Sequence, residues 1–184
     1  MVAVPTPKRF TVDEYEHLGK LGFFHEEART ELLDGEIIEM AAIGADHASI
    51  VRQLTRLVVT QVETGLIVDV QNPLRLNDNN MPQPDLAVIR DRDYAGMVPS
   101  AADALLVIEV ADSSLDFDRN RKLPRYAATG IPETWIFDVT ARRIERHSEP
   151  RDGRYRQVTV ASGGQELAST ILPAIVIRVG TIFR

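Results

Sequence analysis

The chain has 184 residues, a length that suits one globular domain, and 44% of its residues are hydrophobic. It contains no cysteine, which excludes disulfides, thiolate zinc sites and cysteine nucleophiles. The net charge of −6 argues against a generic basic nucleic-acid binder but leaves room for a metal-dependent site. No apolar run is long enough to span a membrane and no signal peptide is recognisable, so we expect a single cytoplasmic domain over residues 1–184.

Helical patterns predict three helices. The first opens with Thr11 and Glu14 at the spacing of a capping box. The second has apolar residues at helical spacing, with Asp46 as its expected N-cap and Gly65 after its end. The third is ended by Gly130. The predicted helices cover residues 11–18, 47–63 and 118–129.

Strand patterns occupy most of the remaining chain. Asp34-Gly35 predicts a hairpin near the N-terminus, because a type I′ turn needs positive φ at both positions. The predicted strands and hairpins cover residues 30–40, 66–76, 85–90, 105–111, 134–139, 142–160 and 174–179. This order predicts an α/β or mixed α+β fold, in which helices cover a mixed central sheet.

The most informative pattern is a pair of acids at opposite ends of two apolar runs. Asp85 opens the run 86–89, and Glu109 closes the run 105–108. If these strands pair antiparallel, the two carboxylates lie together at one end of the sheet. Like charges at short range raise one pKa or require a cation, and a hard divalent metal with oxygen ligands meets that need.

A lysine extends this pattern. Lys122 follows Glu109 by thirteen residues, and a lysine is suited to stabilise a phosphate oxygen or orient an attacking water. Together with the acids it indicates phosphodiester chemistry. Pro124 disfavours a helix interior, so a helix that starts late would place Lys122 in its cap region.

Further residues are accessory candidates. Tyr126 shares a helix face with Lys122, His47 opens the long helix, and a hairpin carboxylate, Glu31, is a possible additional metal-side group. Basic residues cluster in two places, the first of which is a candidate surface for the nucleic-acid backbone. The first group is Arg119, Arg121 and Arg125, and the second is Arg142, Arg143, Arg146, Arg151, Arg154 and Arg156.

These segments together resemble the bacterial "putative restriction endonuclease" domain family of the PD-(D/E)XK nuclease superfamily. The resemblance covers roughly residues 10–180. Its motifs are weak singly, but their order and spacing are specific. The matching segments are Glu31–Glu36, His47, Pro84–Val88, Val107–Ser114, Asp118–Lys122, Tyr126 and Gly130–Trp135.

The resemblance implies a central mixed sheet flanked by helices and an endonuclease that cleaves nucleic acid, with DNA as the expected substrate. It implies Asp85 and Glu109 as ligands of Mg²⁺ or Mn²⁺, with Lys122 as the catalytic lysine. In the common superfamily pattern the lysine follows the acid by two residues, where this chain has Ala111. The family places it on the following helix instead. A homodimer would suit cleavage of both DNA strands.

Two other functions remain open from the sequence. The chain is alternatively a catalytically inactive nuclease fold that serves as a binding or interaction module, which the acidic net charge favours. A third hypothesis is a homodimeric structural protein that uses the hairpin carrying Arg142, Arg143 and Arg146 as its interface. The simplest interpretation of that hairpin alone is a solvated surface.

Overall fold

The computed structural model describes residues 6–25 and 28–183. Its helices are α1 (Val12–Lys20), α2 (Ala45–Val59), α3 (Leu115–Phe117), α4 (Leu123–Ala128) and α5 (Val179–Ile182), with a π-helical turn at Asp118–Lys122. Its strands are β1 (Thr30–Leu33), β2 (Glu36–Glu39), β3 (Leu66–Val70), β4 (Leu86–Arg90), β5 (Ala104–Ala111), β6 (Glu133–Asp138), β7 (Arg143–Arg151), β8 (Arg154–Ser162), β9 (Glu166–Ala168) and β10 (Val176–Arg178).

The centre of the molecule is a six-stranded sheet in the order β3-β4-β5-β6-β7-β8. Strands β5 and β6 run parallel, and the other neighbours in this sheet are antiparallel. The parallel pair is joined by the helical segment α3–α4, as a crossover requires. The hairpin β1–β2 and the pair β9–β10 form two small separate sheets. The predicted mixed sheet with a hairpin near the N-terminus is therefore confirmed.

Helix α2 covers one face of this sheet with an apolar stripe. Ile50 and Leu54 pack in one buried cluster with Ile108, Val110 and Trp135. The spacing of Ile50 and Leu54 is that of one helix face, and Ile108 and Val110 alternate as one face of a strand. The main core therefore lies between α2 and the sheet, while α4 covers the opposite face.

Several predicted boundaries need correction. Gly44 is the N-cap of α2, and Asp46 lies inside its first turn without capping it. This helix ends at Val59, because consecutive β-branched residues weaken the last turn and the Thr60 hydroxyl bonds to the Leu57 carbonyl. Strand β3 ends at Val70 and does not reach residue 76.

The C-terminal region differs from the prediction by one strand. Residues 174–179 were predicted as a strand, and β10 lies within them. Its partner β9 was not predicted, since three residues are too few for a readable alternation. Among the described residues, the structure has no helix with the length and apolar character needed to cross a bilayer.

The π-helical turn resolves the conflict between Pro124 and a continuous helix. The Leu123 amide bonds to the Asp118 carbonyl, five residues back, which widens the turn. Pro124 then falls in the first turn of α4, where its missing N–H is tolerated. Lys122 lies immediately before α4, as a late helix start predicts. It is nevertheless part of the π turn, so the chain is already helical where it precedes α4.

Candidate functional site

The pairing of β4 and β5 brings the two predicted acids together. Leu86 lies opposite Ile108 in antiparallel register, so the residue before Leu86 and the residue after Ile108 are neighbours. The Val110 backbone N–H donates to Oδ2 of Asp85 at 2.8 Å. Asp85 and Glu109 line the same small cavity. The predicted antiparallel arrangement is confirmed.

Lys122 lies inside this carboxylate cluster. Its ammonium is 3.2 Å from Oε1 of both Glu31 and Glu109, and 3.9 Å from Oδ1 of Asp118. Only 3% of the Lys122 side chain is exposed. Burial lowers the pKa of a lysine, but here the charges of Glu109, Glu31 and Asp118 outweigh burial and raise the Lys122 pKa. The lysine is therefore held as a cation.

Glu109 is also held by Tyr126, which contacts the same carboxylate oxygen as Lys122. The Tyr126 hydroxyl donates to Oε1 of Glu109 at 2.6 Å, and both side chains are buried. Burial raises the pKa of Glu109 well above its ordinary value. The charge of Lys122 opposes this shift, whereas the charges of Asp118 and Asp85 add to it. Burial and the Glu109 charge raise the pKa of Tyr126 as well, so the phenol stays a donor. One ammonium does not fully compensate this group of acids.

Asp85 is fixed by three donors. His47 Nε2 lies 3.0 Å from Oδ2, the oxygen that also accepts from Val110, and the Gln71 side-chain amide donates to Oδ1 at 3.2 Å. Burial acts to raise the pKa of Asp85, but the His47 contact and the other hydrogen bonds outweigh burial and lower it. Asp85 is therefore held in its ionised form.

The hairpin β1–β2 and the π turn complete the cluster. The second oxygen of Glu31 accepts from the Gln83 backbone N–H at 3.1 Å, and Ser114 donates to Asp118 at 2.6 Å. Burial raises the pKa of Asp118. Sequence reasoning missed Asp118 and Gln71 as site residues. The four-residue spacing of Asp118 and Lys122 was the available signal for the first, whereas nothing in the sequence marked Gln71.

The donor chemistry of this cluster fits a hard divalent cation. Carboxylates from four elements converge on a cavity of about 50 Å³, more than one water requires, and a single lysine faces them. The Nδ1 atom of His47 is buried without a hydrogen-bond partner at the wall of the same cavity. In the described ranges, however, no three His, Asp or Glu side chains are already spaced to hold a metal. Lys122 contacts Glu31, Glu109 and Asp118, so a cation bound by these acids would share them with its ammonium.

The three arginines predicted to contact nucleic acid are engaged within the chain. Arg119 pairs with Glu145, and Arg121 donates to Glu36 at 2.7 Å. Arg125 makes a two-nitrogen contact with the carboxylate of Asp34 in the β1–β2 turn. The contacts of Arg121 and Arg125 hold the hairpin that carries Glu31 against the π turn and α4, whereas that of Arg119 joins the π turn to β7. Their predicted role at a phosphate backbone stays a prediction.

Comparison with known proteins agrees with this fold. The family model described as "Putative restriction endonuclease" (Uma2) matches residues 12–180. The chain belongs to this family. The matched span of this Uma2 member contains the whole cluster, from Glu31 on the hairpin to Tyr126 on α4. No curated protein matches the chain.

A solved structure shares the architecture. It is described as a putative nuclease belonging to DUF820 from Anabaena variabilis ATCC 29413. The TM-score is 0.73, and the match covers 95% of this chain and 97% of the other, at 15% sequence identity. At this identity the likeness supports the fold of this Uma2 member and leaves the role of each residue to its own geometry.

Proposed function

We propose that the chain is a metal-dependent endonuclease that hydrolyses phosphodiester bonds in nucleic acid, with DNA as the expected substrate. The observation that carries this proposal is the buried contact of Lys122 with Glu109, beside the ionised Asp85, where the inner strands β4 and β5 meet at one end of the central sheet. A buried lysine among carboxylates is seldom a gain in stability, which favours a role in chemistry.

Asp85 and Glu109 would hold Mg²⁺ or Mn²⁺, with the Val110 carbonyl as a further oxygen ligand. When bound, the metal would lower the pKa of a water and stabilise charge on the phosphate. Glu31 is an additional metal-side carboxylate, because it shares Lys122 with Glu109 and lines the same cavity. Binding of a divalent cation would also relieve the repulsion among these acids.

The remaining side chains prepare the site for hydrolysis. Lys122 orients the attacking water or neutralises a phosphate oxygen, since its ammonium stays charged within reach of Glu109. Tyr126 fixes the carboxylate of Glu109 through its hydroxyl. His47 fixes Asp85 through Nε2. Its other ring nitrogen, Nδ1, is buried and has no hydrogen-bond partner among the described residues. These contacts position the acids before substrate arrives.

Contact with the nucleic-acid backbone would involve Arg119, Arg121 and Arg125. The ion pairs of Arg121 are about one-third exposed, and exposed pairs are weak enough for a phosphate to compete. We also propose a homodimer, because two-fold symmetry would place two sites against the two strands of a duplex.

The deciding experiment compares wild type with Asp85→Asn. Supercoiled plasmid, single-stranded DNA and RNA are incubated with Mg²⁺, with Mn²⁺ and with EDTA. We expect metal-dependent cleavage by wild type and none by Asp85→Asn, because a neutral amide binds a hard divalent cation much more weakly than a carboxylate does. The preferred substrate identifies the nucleic acid.

A matched control sits at the other end of the same strand. Asp91 follows β4 on the exposed surface, so Asp91→Asn should cleave at the wild-type rate. Thermal melting of both variants checks that the fold is retained. Cleavage that survives in Asp85→Asn overturns the assignment of this residue.

A catalytically inactive binding or interaction module is the second candidate. It is favoured by two observations: three donors already engage Asp85, and the described residues contain no preassembled three-ligand metal group. Calorimetric titration with Mn²⁺ separates the two functions. The nuclease requires binding that Asp85→Asn and Glu109→Gln each weaken, whereas a binding module shows no such dependence.

A further inference from the structure

We propose that Gln71 is a positioning residue for Asp85, an inference that rests on the proposed metal-dependent function. Strand β3 ends at Val70, opposite Leu86 in the antiparallel register. Gln71 therefore lies opposite Asp85, one residue beyond the paired segment. Its backbone N–H donates to the Asp85 carbonyl at 3.1 Å, so the pairing continues to this point.

The backbone of Gln71 has an unfavourable conformation for a residue with a side chain. Its φ is +53°, in the left-handed region where Cβ crowds the backbone. Glycine is the residue that this position would ordinarily favour. Strained positions of this kind persist where the surroundings over-determine them, and they concentrate at functional sites. We therefore expect a contact of the Gln71 side chain to offset the strain of this backbone conformation.

That contact is the hydrogen bond from the Gln71 side-chain amide to Asp85. Oδ2 of Asp85 accepts from Val110 and contacts His47, whereas Oδ1 accepts from Gln71 alone among the described residues. Fixing both oxygens fixes the plane of the carboxylate. A carboxylate in which one oxygen has no hydrogen-bond donor can rotate about its bond to the side chain. Loss of contacts that orient a metal ligand typically weakens metal affinity. Gln71 thus holds the orientation in which Asp85 meets the cation.

Gln71→Gly is the informative variant because stability and metal affinity should respond differently. It relieves the left-handed backbone while it removes the amide, so we expect a melting temperature close to that of wild type. The affinity for Mn²⁺ should fall by about 10- to 100-fold, as measured by calorimetric titration. Gln71→Met keeps roughly the length of the side chain but has no amide donor for Oδ1 of Asp85, so it should weaken Mn²⁺ binding to a similar extent.

The matched control is Glu149, another left-handed residue on the surface. Its φ is +59°, and its carboxylate accepts one hydrogen bond from Gln157. Glu149→Gly removes the same kinds of interaction away from the cluster and should leave Mn²⁺ affinity unchanged. If Gln71→Gly binds Mn²⁺ as tightly as wild type, Gln71 is not a positioning residue. If wild type itself shows no Mn²⁺ binding that depends on Asp85, the proposed function fails and this inference fails with it.

Discussion

The two faces of strand β5 are both buried, but by opposite means. On the α2 face, Ile108 and Val110 pack among apolar side chains. Between them, Glu109 is buried on the α4 face and is held by Lys122 and Tyr126. Apolar burial is favourable by itself, at about 25 cal/mol per Å². Burial of charge is tolerated only where partners compensate it.

This difference separates a face that stabilises the fold from a face that carries chemistry. Apolar residues of similar volume often replace a buried ion pair with no loss of stability. The α4 face nevertheless contains Glu31, Glu109, Asp118 and Lys122, all at least nine-tenths buried. We infer that these groups are retained for what they bind, and the following changes test the contrast between the two faces.

The largest effect on stability is expected from Lys122→Met. It leaves Glu109 and its neighbours without their cation, so the free energy of unfolding should fall by about 3–5 kcal/mol, measured by urea denaturation in EDTA. Adding Glu109→Gln to the variant removes one uncompensated acid and should recover part of the loss. On the other face, Ile108→Val should cost only about 0.5–1.5 kcal/mol. A Lys122→Met protein as stable as wild type would mean that the acids need no cation in the folded state.

The next effect concerns Tyr126→Phe, which removes one hydroxyl and keeps the ring. The hydroxyl is a donor to buried Glu109, so the free energy of unfolding should fall by about 1.5–3 kcal/mol. Because the orientation of Glu109 also relaxes, Mn²⁺ affinity should fall in the same variant. Trp135→Phe on the α2 face serves as the comparison, since it changes packing there, removes the indole hydrogen bond to Glu133, and should not alter Mn²⁺ affinity. Unchanged affinity in Tyr126→Phe would limit this tyrosine to packing.

Acid pH tests another carboxylate on the sheet, Glu145. Burial acts to raise its pKa, but hydrogen bonds from His147 and Arg119 outweigh burial and lower the pKa to about 2. A folded-state pKa below the unfolded value gives stability that is present above about pH 4 and is lost as the pH falls toward 2. We expect Glu145→Gln to remove on the order of 2 kcal/mol at neutral pH and to flatten the pH dependence between pH 5 and 2.

The control for this titration is Glu166→Gln on the exposed strand β9, which should leave the slope of unfolding free energy against pH unchanged. Urea denaturation at half-unit pH intervals gives both curves. Parallel curves for wild type and Glu145→Gln between pH 5 and 2 would contradict the link between Glu145 and acid stability.

The apolar face was easier to predict from sequence than the charged one. Periodicity identified α2 and β4–β6, because burial selects apolar residues at regular spacing. The pairing of Asp85 with Glu109 followed from strand direction alone. Gln71 did not follow, since its contact with Asp85 joins two separate segments of the chain. The π turn did not follow either, because no side-chain spacing marks a backbone bond to the fifth preceding residue. The roles of Asp85, Glu109 and Lys122 remain predictions until metal and substrate are tested.

The smallest effect on stability is expected from Arg121→Gln. This variant tests whether Arg121 only pairs with Glu36 or also contacts a nucleic-acid phosphate. Arg121 pairs with Glu36 and is about one-third exposed, so the loss of unfolding free energy should be no more than about 1 kcal/mol. If Arg121 also exchanges onto a phosphate, the logarithmic salt slope of DNA binding should become shallower by about one unit. Arg156→Gln removes a comparable exposed pair with Asp152, at the β7–β8 turn, and should leave that slope unchanged. A wild-type slope in Arg121→Gln would restrict this arginine to holding the hairpin. The cluster would then depend on Arg121 only through the placement of Glu31.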